Sequence, residues 1–259
     1  MSVLRSRDNP RVRRWARLVA DARFRRSERR IVVEGPHLVG AALERGWAVA
    51  DVLACEGAMS AGEVRSLVAK TGRAPVLLSE PAMRAIVESE TPQGIAAELA
   101  LPETGAPAAG SVVFLEGVQD AGNVGAILRS AAAFGIRAAV LDTGCADAWS
   151  AKTLRAGAGA HFLLQIRQVA RLATVIDAFD GRLVCTVPRG GTALKDADLS
   201  GRLGWIFGSE GRGIGAALQQ KASLKLSIPI SAATESLNVA AAAAICFYAA
   251  ATSRPGAGS

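Results

Sequence analysis

Val112-Val113-Phe114-Leu115, followed a short loop later by Asn123-Val124-Gly125-Ala126-Ile127-Leu128-Arg129, is the stretch whose reading decides the fold. An unbroken apolar strand of this kind is buried on both faces, as the strands of parallel sheets are. The second segment reads as a helix running to about residue 134 and closed by Gly135, with Asn123 placed as its N-cap. Downstream, strands are expected at about 138–141, 162–166, 183–187, 205–207 and 224–228, with helices between most of them. That alternation predicts an α/β, doubly wound parallel sheet, whose ligands collect outside the C-terminal ends of its strands.

Upstream, residues 31–99 alternate in shorter pieces. Strands are expected at 31–33, 51–55, 76–78 and 94–99, and helices at about 36–45, from Ser60 onward, and at 81–88. Ser60 with Glu63 three places on has the form of a capping box. Pro102 to Gly110, with two Pro, two Gly and three Ala, reads as a linker. There is no internal repeat.

The 259 residues suffice for two ordinary cores, so two domains are expected. The net charge of +7 is concentrated at one end: residues 1–30 carry eleven Arg against Asp8, Asp21 and Glu28 and sum to about +8, leaving the rest at −1. A cationic arm on a near-neutral body is the electrostatic footprint of a phosphate partner, so RNA or DNA is expected. The three acidic groups argue against a targeting peptide. Val12, Trp15, Ala16 and Val19 fall at helical spacing, so the arm is expected to dock as an amphipathic helix with its Arg side outward. Arg11, Arg13, Arg14, Arg17 and Arg23 are the candidate RNA contacts. The four cysteines are dispersed and there are only two histidines, which gives no zinc or redox pattern and no expected metal. The longest apolar run, 237–252, is too short for a bilayer and is expected to be a buried helix.

Two more segments leave strand ends in the second half. Gly208-Ser209-Glu210-Gly211-Arg212-Gly213 has three glycines that permit tight turns and backbone hydrogen bonding to a ligand. It lacks the Lys-Ser/Thr of a P-loop and the glycine spacing of a dinucleotide fingerprint. Gly157-Ala158-Gly159 has half of that fingerprint and reads as a helix end. Ile228-Pro229 ends the last strand, and Ser236-Leu237-Asn238-Val239 opens the last helix with Ser236 as a natural N-cap. Taken singly, each has an ordinary reading: Asn123 a cap, Arg129 a surface cation, Glu210 a loop carboxylate, Ile228 and Leu237 core residues.

Together and in this order, the three segments resemble the signature motifs of the SpoU/TrmH ribose methyltransferases, a branch of the knotted SPOUT superfamily. Arg30-Ile31-Val32-Val33-Glu34-Gly35 and the helix after it resemble the substrate-binding domain of many SpoU enzymes, a domain type related to small ribosomal RNA-binding proteins. The resemblance covers nearly the whole chain and is sharpest from 115 to 248. The chain departs from the family pattern at Ile230, at Ser231-Ala232-Ala233 and at Ala240.

The resemblance implies a basic arm (1–30), an α/β substrate-binding domain (31–100), a linker (101–110), a SPOUT domain with a C-terminal trefoil knot (111–252) and a tail (253–259). It implies a cytoplasmic homodimer that methylates a ribose 2′-hydroxyl from S-adenosylmethionine, on ribosomal RNA in preference to transfer RNA. It also implies a catalytic set of Arg129, Asn123, Glu210, Ser236 and Asn238, and a cofactor set of Phe207, Gly208, Gly213, Ile228 and Leu237. A catalytically silent knotted RNA-binding protein would share the arm and both domains without binding S-adenosylmethionine.

The chemistry is an in-line displacement, so oxygen, methyl carbon and sulfur must be aligned and the hydroxyl must lose its proton. A guanidinium is a poor base, so the reading has Arg129 hold the neighbouring phosphate and stabilise the developing alkoxide. The proton acceptor stays open among a phosphate oxygen, Glu210 and Arg129 itself.

Overall fold

The computed structural model describes residues 3–89, 91–103 and 109–253. Residues 104–108 of the expected linker and 254–259 of the expected tail lie outside them. In chain order the first elements are α1 (Pro10–Ala20), α2 (Ala22–Glu28), β1 (Arg30–Glu34), α3 (Pro36–Glu44), β2 (Val49–Cys55), α4 (Gly62–Lys70), β3 (Val76–Leu78), α5 (Glu80–Ile86) and β4 (Ile95–Ala100). There follow β5 (Val112–Glu116), α6 (Ala121–Ala133), β6 (Ala138–Asp142), α7 (Ala151–Gly157), β7 (Gln165–Val169), α8 (Ala173–Ile176), β8 (Arg182–Thr186), β9 (Thr192–Ala193), β10 (Leu203–Gly208), α9 (Ala216–Lys221), β11 (Leu224–Ser227) and α10 (Val239–Thr252).

Two compact units result: Met1–Glu103 with Trp149–Phe162, and Thr104–Ala148 with Leu163–Ser259. The first holds a four-stranded sheet ordered β1-β4-β2-β3, antiparallel except for β2 with β3. Strand alternation sends Ile31 and Val33 to one face and Val32 to the other. Ile31 and Val33 meet Leu38 and Val39 of α3 and Val64 and Leu67 of α4, whereas Val32 meets Val12, Trp15 and Leu18 of α1 and Met83 and Ile86 of α5. The arm therefore docks as an amphipathic helix. The stretch 149–162, expected in the second domain, clusters with the first unit because Leu154 and Phe162 join the α3/α4 core and Trp149 packs on Trp47 at 5.7 Å.

The second unit is a seven-stranded sheet ordered β7-β6-β5-β10-β8-β11-β9, with parallel pairing throughout. One face buries Phe114, Val140 and Ile206 beneath Leu172, Ile176 and Leu218. On Trp205 and Phe207 lies Phe247 of α10, with ring centroids 5.8 and 5.6 Å away. From β5 the chain moves outward to β6 and β7, crosses to β8 and β9 beyond β5's other side, and then inserts β10 between β5 and β8. The ends of β5 and β10 thus form a switch point of the type that opens a ligand crevice.

Local signals were less accurate than the periodicity. Ser60 makes no capping box: it closes a 3₁₀ turn at Gly57–Ser60, its Oγ donates to Gly57 O at 2.8 Å, and the N-cap of α4 is Ala61. The strand expected at 162–166 begins at Gln165, because Ala160–Phe162 is a second 3₁₀ turn.

Candidate active site

The three motifs meet at the C-terminal ends of β5, β10 and β11. Asp120, not Asn123, caps α6, its Oδ1 accepting from Asn123 N at 2.9 Å. That shift of three residues leaves the Asn123 side chain for a different task. Its Nδ2 donates to Glu210 Oε1 at 2.7 Å, and its Oδ1 accepts from Asn238 Nδ2 at 2.9 Å. A carboxylate can only accept, so Glu210 dictates which way the Asn123 amide points. Asn238 in turn caps α10, its Oδ1 accepting from Ala240 N and Ala241 N at 2.9 and 3.2 Å. The cap expected at Ser236 therefore lies two residues later, since only Asn238 immediately precedes the first turn. Asn238, Asn123 and Glu210, far apart in sequence, form one hydrogen-bonded row.

The glycine loop after β10 folds on itself. Gly213 N donates to Ser209 O at 2.9 Å and Arg212 N to Ser209 Oγ at 3.2 Å. A Cβ on Gly208 would lie 2.1 Å from Gly213 O, so only glycine permits this closure. Gly213 has φ +65°, which also favours glycine. Glu116 at the end of β5 fixes the loop's far side by accepting from Gly215 N at 2.6 Å.

Beside the row opens a cleft of about 700 Å³. Gly208, Glu210, Gly213, Ile228, Ser236, Leu237 and Asn238 line it, which joins seven of the ten predicted catalytic and cofactor residues. The other three are elsewhere. The Phe207 side chain does not line the cleft: the residue is 1% exposed, with its ring stacked on Trp205 and edge-on to Phe247. Asn123 reaches the cleft through its two partners. Arg129 is exposed further along α6, outside the hydrogen-bonded row. The sequence reading missed Thr186, Val187 and Pro188, which form another wall. Pro188 and Gly190-Gly191 after strand β8 were the available signal, a turn at a strand's C-terminal end.

Electrostatically, Glu210 is the marked group. Partial burial alone would raise its pKa, but the Asn123 amide and the backbone N–H groups of Glu210, Gln119 and Asp120 together hold it below the usual carboxylate range. It is an anion placed by donors.

Within the first unit, the candidate RNA contacts divide into two kinds. Arg11, Arg13 and Arg17 are exposed and pair with Asp51, Asp8 and Asp21 at 3.3, 2.7 and 3.5 Å, and Arg23 is exposed as well. Arg14 is a correction to the outward-facing reading. It donates to Glu98 at 2.8 Å and to Glu28 at 3.0 Å, and Glu98, 3% exposed, also accepts from Trp15 Nε1 at 2.8 Å. Its guanidinium pins α1 to β4. Among the described residues, no His, Cys, Asp and Glu group is placed to hold a metal ion, and no helix is long and apolar enough to cross a membrane.

Residues 110–248 match the SpoU rRNA Methylase family, and residues 9–97 match the MRM3-like substrate binding domain. The 23S rRNA (guanosine(2553)-2′-O)-methyltransferase RlmP of Bacillus subtilis is 35% identical over 250 residues, 96% of this chain and 98% of that protein. A crystal structure of an RNA 2′-O ribose methyltransferase superposes with TM-score 0.81 at 28% identity, covering 97% of this chain and 99% of the other. The AdoMet-bound rRNA methyltransferase from Sinorhizobium meliloti superposes with TM-score 0.82 at 25% identity, over 96% of this chain and 97% of that one. The C-terminal trefoil knot follows from this shared fold.

Proposed function

The chain belongs to the SpoU rRNA methylase family of S-adenosylmethionine-dependent RNA 2′-O-methyltransferases, and from that premise we propose that it methylates a ribose 2′-hydroxyl of ribosomal RNA in the cytoplasm, as a homodimer. The observation that carries the reading is the row Asn238–Asn123–Glu210, which ties all three motifs to one cleft.

The cleft fits the cofactor's chemistry. Val187, Ile214, Ile228 and Leu237 offer apolar walls for an adenosine, the 208–213 backbone offers amides, and Glu210, Arg212 and Glu235 offer charges of both signs for an amino acid and a sulfonium. When bound, S-adenosylmethionine supplies the methyl group and a neutral thioether as its leaving group. The protein's part is alignment. Asn123 and Asn238 hold Glu210 against the cleft, and an anion whose pKa is depressed is suited to orienting the hydroxyl rather than to taking its proton. Arg129 binds the phosphate beside the target ribose and stabilises the developing oxyanion.

Two surfaces support the remaining parts of the reading. On α10, Ile245 and Tyr248 are 39% and 58% exposed, and Tyr248 stacks edge-on against Phe134 just beyond α6. A second copy covering that face would bury them. In the first unit, exposed Arg13, Arg17 and Arg23 provide the RNA's electrostatic attraction.

The test is transfer of a labelled methyl group to total RNA from a strain lacking the enzyme, followed by mapping of ribose methylation. We expect incorporation at a ribosomal RNA site. Arg129→Ala should lose about 100-fold in rate while calorimetry shows cofactor binding retained. Cofactor binding absent from the wild type, with RNA binding intact, would instead identify a silent RNA-binding protein.

A further inference from the structure

Glu210 accepts from Asn123 Nδ2 at 2.7 Å, and Asn123 N in turn donates to Asp120 Oδ1 at 2.9 Å, so the anion is only as well placed as the loop joining β5 to α6 is rigid. The rigidity comes from the end of the neighbouring strand. Asp142, the last residue of β6, takes no part in any motif and does not line the cleft. Its Oδ1 accepts from Gly117 N at 3.0 Å, Gly144 N at 3.0 Å, Cys145 N at 3.1 Å and the Cys145 thiol at 3.3 Å. Gly117 has φ +63°, and a Cβ on Gly144 would lie 3.2 Å from Asp142 Oδ1 and 3.4 Å from Gly117 Cα. The two turns are therefore packed on one another through this oxygen. A further bond, Ala146 N to Val118 O at 2.9 Å, locks them, and the single Cys145 S–H lies between Asp142 Oδ1 and Leu115 O, the latter at 3.2 Å. The loop fixed in this way presents the carboxylate of Asp120 to the first turn of α6, which carries Asn123 and through its amide reaches Glu210.

We propose that Asp142 is a positioning residue for methyl transfer: by gathering the Gly117, Gly144 and Cys145 amides on one oxygen it anchors residues 117–120, and through them sets the place of Glu210 and Asn123. Hydrogen bonds to a carboxylate are about twice as strong as neutral ones, so one ionised oxygen can hold two turns that uncharged groups would leave loose. Small displacements of an aligning group carry large rate penalties in displacement chemistry. The inference rests on the methyltransferase reading above.

The test is steady-state methyl transfer by the full chain, with cofactor affinity measured by calorimetry. Asp142→Ala should lower kcat about tenfold while leaving the dissociation constant for S-adenosylmethionine within about twofold, because the cleft walls are untouched. Asp142→Asn, which keeps an acceptor oxygen in place without its charge, should recover only part of the loss. A double-mutant cycle separates positioning from general loosening: in a Glu210→Gln background, Asp142→Ala should cost clearly less than its roughly tenfold in the wild type, since the part of its action that runs through Glu210 is already cut. If the alanine variant does not fold, Asp142→Glu, which keeps the charge and moves the oxygen by one methylene, takes its place in the same cycle. An unchanged kcat in the variants, or losses that multiply fully in the cycle, would overturn the inference while the wild type's activity preserves the enzyme reading. A wild-type protein that transfers no methyl group overturns both.

Discussion

Asn123 shows how much a single amide can do once it is relieved of capping. With Asp120 closing the helix, both ends of the Asn123 side chain work across the site, one on Glu210 and one on Asn238. The carboxyl of Glu210 has a folded pKa below its unfolded one, so its contribution is complete above the ordinary carboxylate range and is lost only as pH falls through the lower folded value. A carbon-detected NMR titration of Glu210 should accordingly find a midpoint below that of a free glutamate. Asn123→Ala should raise the midpoint by removing a donor, and should slow methyl transfer about tenfold with little change in cofactor affinity. An unmoved midpoint would mean that the amide does not hold the anion.

Among the elements, α10 and α1 are fixed by groups that the sequence offers in more than one version. Ser236 and Asn238 are both good caps by type, and the structure uses Asn238. Ser236→Ala should leave the melting temperature unchanged, whereas Asn238→Ala should cost about 1 kcal/mol of stability. Asn238→Ser should restore the cap without reaching Asn123, so stability should return while activity stays low. In the arm, the buried Glu98 carboxylate joins Arg14 and Trp15 to β4. Its removal takes from Arg14, which is 37% exposed, its more buried partner and strands an indole N–H. Glu98→Ala should therefore destabilise the protein by about 3 kcal/mol in chemical denaturation, a loss that solvent around Arg14 keeps from being larger.

For the whole molecule, the decisive quantity is charge. The excess of the first thirty residues is spread over arginines with different duties, and only the exposed ones can release counterions from RNA. Replacing Arg13, Arg17 and Arg23 together by Ala should flatten the dependence of log affinity on log salt by about 2, as expected when three phosphates are no longer neutralised. Arg14→Ala should act mainly on melting temperature. A salt slope that changes as much for Arg14 alone would place that residue at the RNA instead.

The parallel α/β sheet, the docked arm and the three motif segments were legible in the amino-acid sequence, because hydrophobic period, strand-end glycines and charge are properties of neighbours along the chain. Those signals placed seven of ten site residues on one cleft. Three-dimensional packing decided the rest. The choice of Asp120 over Asn123 and of Asn238 over Ser236 as caps depends on where each helix's first turn starts, which propensity does not resolve when nearby residues are equally suitable. Phe207 became core because strand alternation turns its ring toward Phe247, and Val187 became a cleft wall because β8 lies between β10 and β11. The bond from Asn123 to Glu210 spans 87 residues, and that from Asn238 to Asn123 spans 115. No local pattern encodes such a partner, since it exists only after the sheet order has brought the ends of β5, β10 and β11 to the same crevice.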